Sequence, residues 1–156
     1  MVHRTYQGLG SGDDAVREFD GLAPYVTEML ALQQECTRLD AGYMAMGIAL
    51  DALQTAAYHF TRRRYFYHPL ESAARERPAG NNRLSDLQQA IAAFEALTPY
   101  ADHLRRLQGR CRPFGGDYMA LDIARQGLES AAFHFTRQAS FYGAKCDSAG
   151  RVRPSF

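Results

Sequence analysis

Two stretches of this chain carry the same chemistry-bearing side chains in the same order, His59-Phe60-Thr61-Arg62 and His134-Phe135-Thr136-Arg137. Arginine offers a forked set of donors and histidine a donor or acceptor that changes charge near neutral pH, so together they suit an anion or a partner's carboxylate. At 100° per residue, His59 shares one helical flank with Ile48, Thr55, Arg62 and Phe66. The second copy places Ile123, Ser130, Arg137 and Phe141 around His134 in the same way. The candidate binding residues are therefore Thr55, His59, Arg62, Phe66, Ser130, His134, Arg137 and Phe141. A plainer reading stands beside this one. Each histidine would be a satisfied group next to a neighbouring helix, with the arginine stems lying on Phe66 and Phe141.

Other chemistries are weighed on the same residues. Parallel packing of the two stretches would bring His59 and His134 to one level, where a facing imidazole pair could hold a metal or a haem iron. Two histidines are a small ligand set, and Glu-x-x-His and HExxH patterns are absent, so no metal and no cofactor is assigned. Cys36 and Cys111 fall on apolar stripes and read as small buried hydrophobes, while Cys146 lies in a polar tail beside Lys145. No residue is assigned a catalytic role. The run Arg62, Arg63, Arg64, interleaved with Tyr58, Tyr65 and Tyr67, makes a basic and aromatic patch of the kind that contacts phosphates and stacks on bases. The second copy has Gln138, Ala139 and Ser140 where the first has Arg63, Arg64 and Tyr65.

Within that run, Arg63 and His68 stand in an Arg-x4-His spacing, which is similar to the motif of HEPN-type ribonucleases. The resemblance implies an arginine and a histidine acting together on RNA. It covers six residues, and Gln138 and Gly143 occupy the matching positions of the second copy.

The elements that must position these residues follow from a repeat. Shifting the sequence on itself by 75 residues sets 13–67 over 88–142 without a gap and matches 22 of 55 positions. Such self-similarity marks a duplicated supersecondary unit, and two copies are too few for a solenoid. The expected fold is all-α: a helical bundle of two tandem homologous units related by a pseudo-twofold axis.

In each unit a short helix, through Phe19 or Phe94, runs to a proline that opens or kinks the next helix. Ser85 with Gln88 reads as a capping box for the second copy. A second helix carries Tyr25, Met29, Leu32 and Cys36, matched by Tyr100, Leu104, Leu107 and Cys111. The longest helix is expected over 43–67 and 118–142, about 37 Å long, with Asp40 and Asp117 as N-caps. Its core face holds Ala45, Ala49, Leu53, Ala56, Phe60 and Tyr67, and Gly47, Leu50, Asp51 and Gln54 are expected to face water.

The division read from the sequence is a flexible N-terminus over 1–12, repeat 1 over 13–67 and a linker over 68–86. Repeat 2 follows over 87–142 and a flexible tail over 143–156, both repeats forming one compact domain. A net charge of +1 gives no overall field that would select nucleic acid or an anionic membrane. No apolar leader or spanning run is present, and three cysteines without CxxC spacing fit a reducing compartment. The expectation is a cytoplasmic, non-enzymatic interaction or regulatory protein of adaptor or scaffold type, with no membrane partner. It would engage another protein, or itself as a homodimer, through the duplicated His-Phe-Thr-Arg helix. The alternative is a nucleic-acid-binding protein acting through the arginine-tyrosine patch.

Overall fold

A computed structural model describes residues 6–78 and 80–143, with the backbone of 145–146 and 152–153. The chain is a helical bundle whose seven α-helices among the described residues are α1 Gly12–Asp20, α2 Ala23–Glu35, α3 Ala41–Thr61, α4 His68–Glu76, α5 Leu87–Ala96, α6 Thr98–Gly109 and α7 Gly116–Thr136. The only strand pairing among them is a two-residue antiparallel bridge, 145–146 with 152–153.

Local signals set most helix ends. Ser11 and Asp14 form a reciprocal capping box that starts α1. Pro24, Pro69 and Pro99 sit in the first turns of α2, α4 and α6, where the missing N–H costs nothing. Asp40 caps α3 by accepting from the Ala41 N–H. The other expected caps do not form. Gly115 takes the N-cap of α7 and Asp117 lies inside the first turn. Asp86 precedes α5 without a side-chain bond, and Ser85 instead donates to the Asn82 carbonyl.

The two long helices stop earlier than the periodicity predicts, at Thr61 and Thr136, which makes each 21 residues, or about 32 Å. Thr61 donates to the Ala57 carbonyl and accepts from the Arg63 N–H, and Thr136 does the same with Ala132 and Gln138. These bonds compete with continuation of the ladder. Arg62 and Arg137 then take left-handed conformations, both at φ 59°, and end the helices. The expected linker is also more ordered than its composition suggests: it contains α4 and a 3₁₀ turn at Arg83–Ser85. α4 packs on α2. Leu50, expected to face water, is buried in that region, with Leu30, Glu71 and Arg75 around it.

α3 and α7 pack along their length and run antiparallel. Gly116 at the start of α7 lies against His59 near the end of α3, and Gly42 at the start of α3 lies against the Phe135 ring near the end of α7. Midway, a β-carbon at Gly127 would stand 3.0 Å from Ala52 Cβ and 3.2 Å from Ala49 Cα, so the glycine allows the close crossing.

α1 and α2 pack on α3, while α5 and α6 pack on α7. The two sets meet where the Tyr25 and Tyr100 rings stack at 5.7 Å and where Glu18 pairs with Arg110 and His103. Residues of the expected flexible N-terminus dock here: Leu9 is buried and the Gly8 N–H donates to the Arg110 carbonyl. Residues 1–5 of that segment, and most of the 143–156 tail with the Cys146 side chain, lie outside the described residues.

The same interactions recur 75 residues apart. Tyr67 and Tyr142 donate their hydroxyls to the Phe19 and Phe94 carbonyls, closing the ends of α1 and α5. Gln33 and Gln108 donate to the Tyr43 and Tyr118 carbonyls. Left-handed residues also come in such pairs: Leu39 with Phe114, Arg62 with Arg137, and Tyr65 with Ser140.

Candidate functional site

The outer face of the α3–α7 pair follows from helix geometry. Ala52 and Gly127 mark the contact line, and in both helices the buried positions lie in the same rotational sense from it: Ala49, Leu53 and Ala56 in α3; Ala124, Leu128 and Ala131 in α7. For antiparallel neighbours the same sense of turn leads to the same side of the pair. The shorter helices α1, α2, α5 and α6 pack on that side. The opposite side carries Met44, Ile48, Thr55, Tyr58 and Arg62 from α3 and its cap, and Met119, Ile123, Ser130, Phe133 and Arg137 from α7 and its cap.

All ten of these residues are exposed, and the apolar ones leave large fractions uncovered: 50% for Met44, 58% for Ile48, 40% for Met119 and 51% for Ile123. The arginine that caps each helix turns back over an aromatic ring of the last turn. The Arg62 guanidinium lies 5.8 Å from the Tyr58 centroid and that of Arg137 lies 6.0 Å from Phe133. Ile48 and Ile123 share the flank with His59 and His134 in the sequence. The signal missed there was that Met44/Met119 and Tyr58/Phe133 extend this flank as an exposed apolar stripe.

The expected binding residues do not form one surface. Thr55, Arg62, Ser130 and Arg137 are exposed, and Thr55 returns its hydroxyl to the Asp51 carbonyl. Phe66 and Phe141 follow the helix ends and turn inward, packing edge-on against Phe19 and Phe94. His59 and His134 are half-buried, each edge-on to the next phenylalanine. They sit at opposite ends of the pair. His59 Nε2 meets Asp117 Oδ1 at 2.8 Å, and His134 is 17 residues further along α7, about 26 Å away. The facing imidazole pair needed for a metal or haem iron is therefore not formed, because the helices are antiparallel. Among the described residues no group of three or more His, Cys, Asp or Glu side chains could hold a metal ion.

The basic and aromatic patch is partly assembled. Arg62 and Arg64 both approach the Tyr58 ring, the latter at 5.9 Å, and Tyr65 is 75% exposed in a left-handed turn. Arg63 is exposed beside them. Tyr67 does not belong to the patch: it is buried, with its hydroxyl on the Phe19 carbonyl. An open groove of about 430 Å³ runs along the patch between Asp51, Gln54, Tyr58, Arg64, Tyr65 and Glu71. Partial burial, and then the Glu71 charge, push the Asp51 carboxyl above its ordinary value. His68, the histidine of the Arg-x4-His spacing, lies near Ser72, Glu71 and the Tyr65 ring, and Arg63 is not among these contacts.

Comparison of the chain with family models, with curated proteins and with solved structures finds no match in any of the three. Among the described residues no helix is long and apolar enough to cross a membrane.

Cys36 is partly buried and Cys111 is buried. Cys36 and Cys111 point their thiols at the Leu32 and Leu107 carbonyls. Burial, followed by the Asp117 charge, pushes the Cys111 thiol up to about 11, and burial raises Cys36 as well.

Proposed function

We propose that the protein is a non-enzymatic interaction module, in which two homologous helical units related by a local twofold axis present the outer face of α3 and α7 to a partner protein. One observation carries this reading. The face exposes Met44, Ile48, Met119 and Ile123 together, and the same residue types stand at these positions in both copies. An apolar patch on one side of a two-layer bundle costs solubility unless something covers it. A cytoplasmic setting accords with the free thiols of Cys36 and Cys111.

The test is the double variant Ile48→Asp/Ile123→Asp. Both side chains are exposed, so its melting curve should match wild type. Proteins retained by the wild-type chain from native lysate should be absent from the variant's eluate. Equal retention of the same proteins by both chains would remove this face from the interaction.

A second reading rests on the paired approach of Arg62 and Arg64 to Tyr58 beside the exposed Tyr65. It makes the same end of the molecule a contact for single-stranded nucleic acid. Binding of an oligonucleotide that weakens steeply with salt, and is lost in Arg62→Ala/Arg64→Ala, would support it.

A further inference from the structure

The charges around the outer face restrict what can cover it. Because α3 and α7 are antiparallel, their capping arginines stand at opposite ends: Arg62, with Arg63 and Arg64, at one end and Arg137 at the other. The guanidinium groups of Arg62, Arg64 and Arg137 lie over Tyr58 and Phe133, whereas Arg17, Arg83, Arg105, Arg110 and Arg125 are ion-paired to carboxylates. Of the acids nearby, Asp40 caps α3, Asp117 holds His59 and Glu71 accepts from Gln54, while Asp51 lies exposed in the groove beside Tyr58 and Arg64.

Between the cationic ends the seam is apolar and low. Ile48 and Ile123 rise beside the small residues Ala52 and Gly127 at the crossing, with Thr55 and Ser130 flanking them. From Met44 to Arg62 the stripe runs 18 residues, about 27 Å, the length of five helical turns. A second copy of the chain laid face to face along the same axis would set arginines against arginines at both ends, whichever way it pointed, and like charges so placed oppose association.

We infer that the occupant is an amphipathic helix of a partner protein, with an apolar stripe in its middle turns and carboxylates at both ends, lying along the α3–α7 seam. This rests on the interaction reading above and gives its partner a chemistry. The apolar middle would supply burial, and the arginines would fix the register and select against basic partners.

The test titrates the full-length protein into two labelled helical peptides of about five turns, identical in their leucine stripe but ending in glutamates or in lysines. Thymidine oligonucleotide and phosphatidylcholine–phosphatidylserine vesicles are titrated in parallel. The glutamate-ended peptide should bind at least about tenfold more tightly than the lysine-ended one, and the margin should shrink as salt rises from about 50 to 500 mM. Ile48→Asp/Ile123→Asp should abolish binding, and Arg62→Glu/Arg137→Glu should erase or reverse the preference, with both variants melting as wild type does. Equal affinity for the two peptides, lost in the isoleucine variant, would overturn the charge pattern while leaving the interaction face intact. Peptide binding that the isoleucine variant keeps would overturn both. Failure of the glutamate-ended peptide to bind, or binding of only the oligonucleotide or vesicles, would also overturn the inference.

Discussion

His59 Nε2 lies 2.8 Å from Asp117 Oδ1, tying the last turn of α3 to the first turn of α7. The matching position in the first copy is Gly42, which packs against the Phe135 ring, so His134 is offered no carboxylate there. Both histidines are edge-on to the next phenylalanine, and His59 alone of the two is held in this interhelical clasp. The clasp is partly exposed, so His59→Ala or Asp117→Ala should each cost about 0.2–1 kcal/mol. Calorimetry should show a melting temperature lowered by no more than about 4 °C, and the double variant should lose little more than either single one.

Gly127→Ala tests the helix crossing. Alanine favours an isolated helix by about 1 kcal/mol, but its β-carbon would press on Ala52 Cβ and the Ala49 backbone and force the two helices slightly apart. The net effect should be a loss of about 1–2 kcal/mol, measured by urea unfolding. A gain in stability would mean that the two helices do not cross so closely.

Three buried tyrosines should respond differently to loss of a hydroxyl. Tyr67 and Tyr142 donate to carbonyls at the ends of α1 and α5, so Tyr67→Phe and Tyr142→Phe should each cost about 1–2 kcal/mol. The Tyr100 hydroxyl is buried without a hydrogen-bond partner among the described residues. Tyr100→Phe should therefore be neutral or stabilising, by up to about 1 kcal/mol.

Glu35 gives the acid limb of stability a defined contributor. Burial alone would raise its carboxyl, but hydrogen bonds from the Arg83 side chain and N–H, with the Arg83 charge, outweigh it and hold the group below its ordinary value. A lowered folded value stabilises above the unfolded value and is lost as pH falls through the folded one. Wild type should lose melting temperature more steeply than Glu35→Gln between about pH 5 and pH 3. Near neutrality the variant should be less stable by about 1–3 kcal/mol.

Thiol accessibility follows from burial. In a Cys146→Ser background, Ellman's reagent at pH 8 should react slowly with Cys36 and more slowly with Cys111, whose thiol stays protonated. Denaturation should release both at once. Fast native labelling of Cys111 would contradict its burial.

Much of the bundle was legible in the chain because its signals are local. Phe19, Leu22 and Leu53, with their partners Phe94, Leu97 and Leu128, show helical spacing and are fully or almost fully buried. Pro24 and Pro99 open helices through their own ring geometry. The helix ends at Thr61 and Thr136 were less visible, because Phe66, Tyr67, Phe141 and Tyr142 keep the apolar spacing beyond them. Those aromatics reach the core by a turn. Leu50 and Asp117 were misplaced for another reason: one is buried in the cleft it lines with Leu30, Glu71 and Arg75 and the other meets His59, and these neighbours lie outside their own helical stretch.

By itself the amino-acid sequence determined the all-helical class, the 75-residue spacing of equivalent side chains and most of the core, since periodicity and proline act within a few residues. Whether the two long helices ran parallel or antiparallel was open to it, because a polar connection of that length permits either. The tertiary structure decided this through the Gly127 crossing and the His59–Asp117 clasp. That direction separates the histidines, sends the capping arginines to opposite ends and leaves Met44, Ile48, Met119 and Ile123 together on one exposed face.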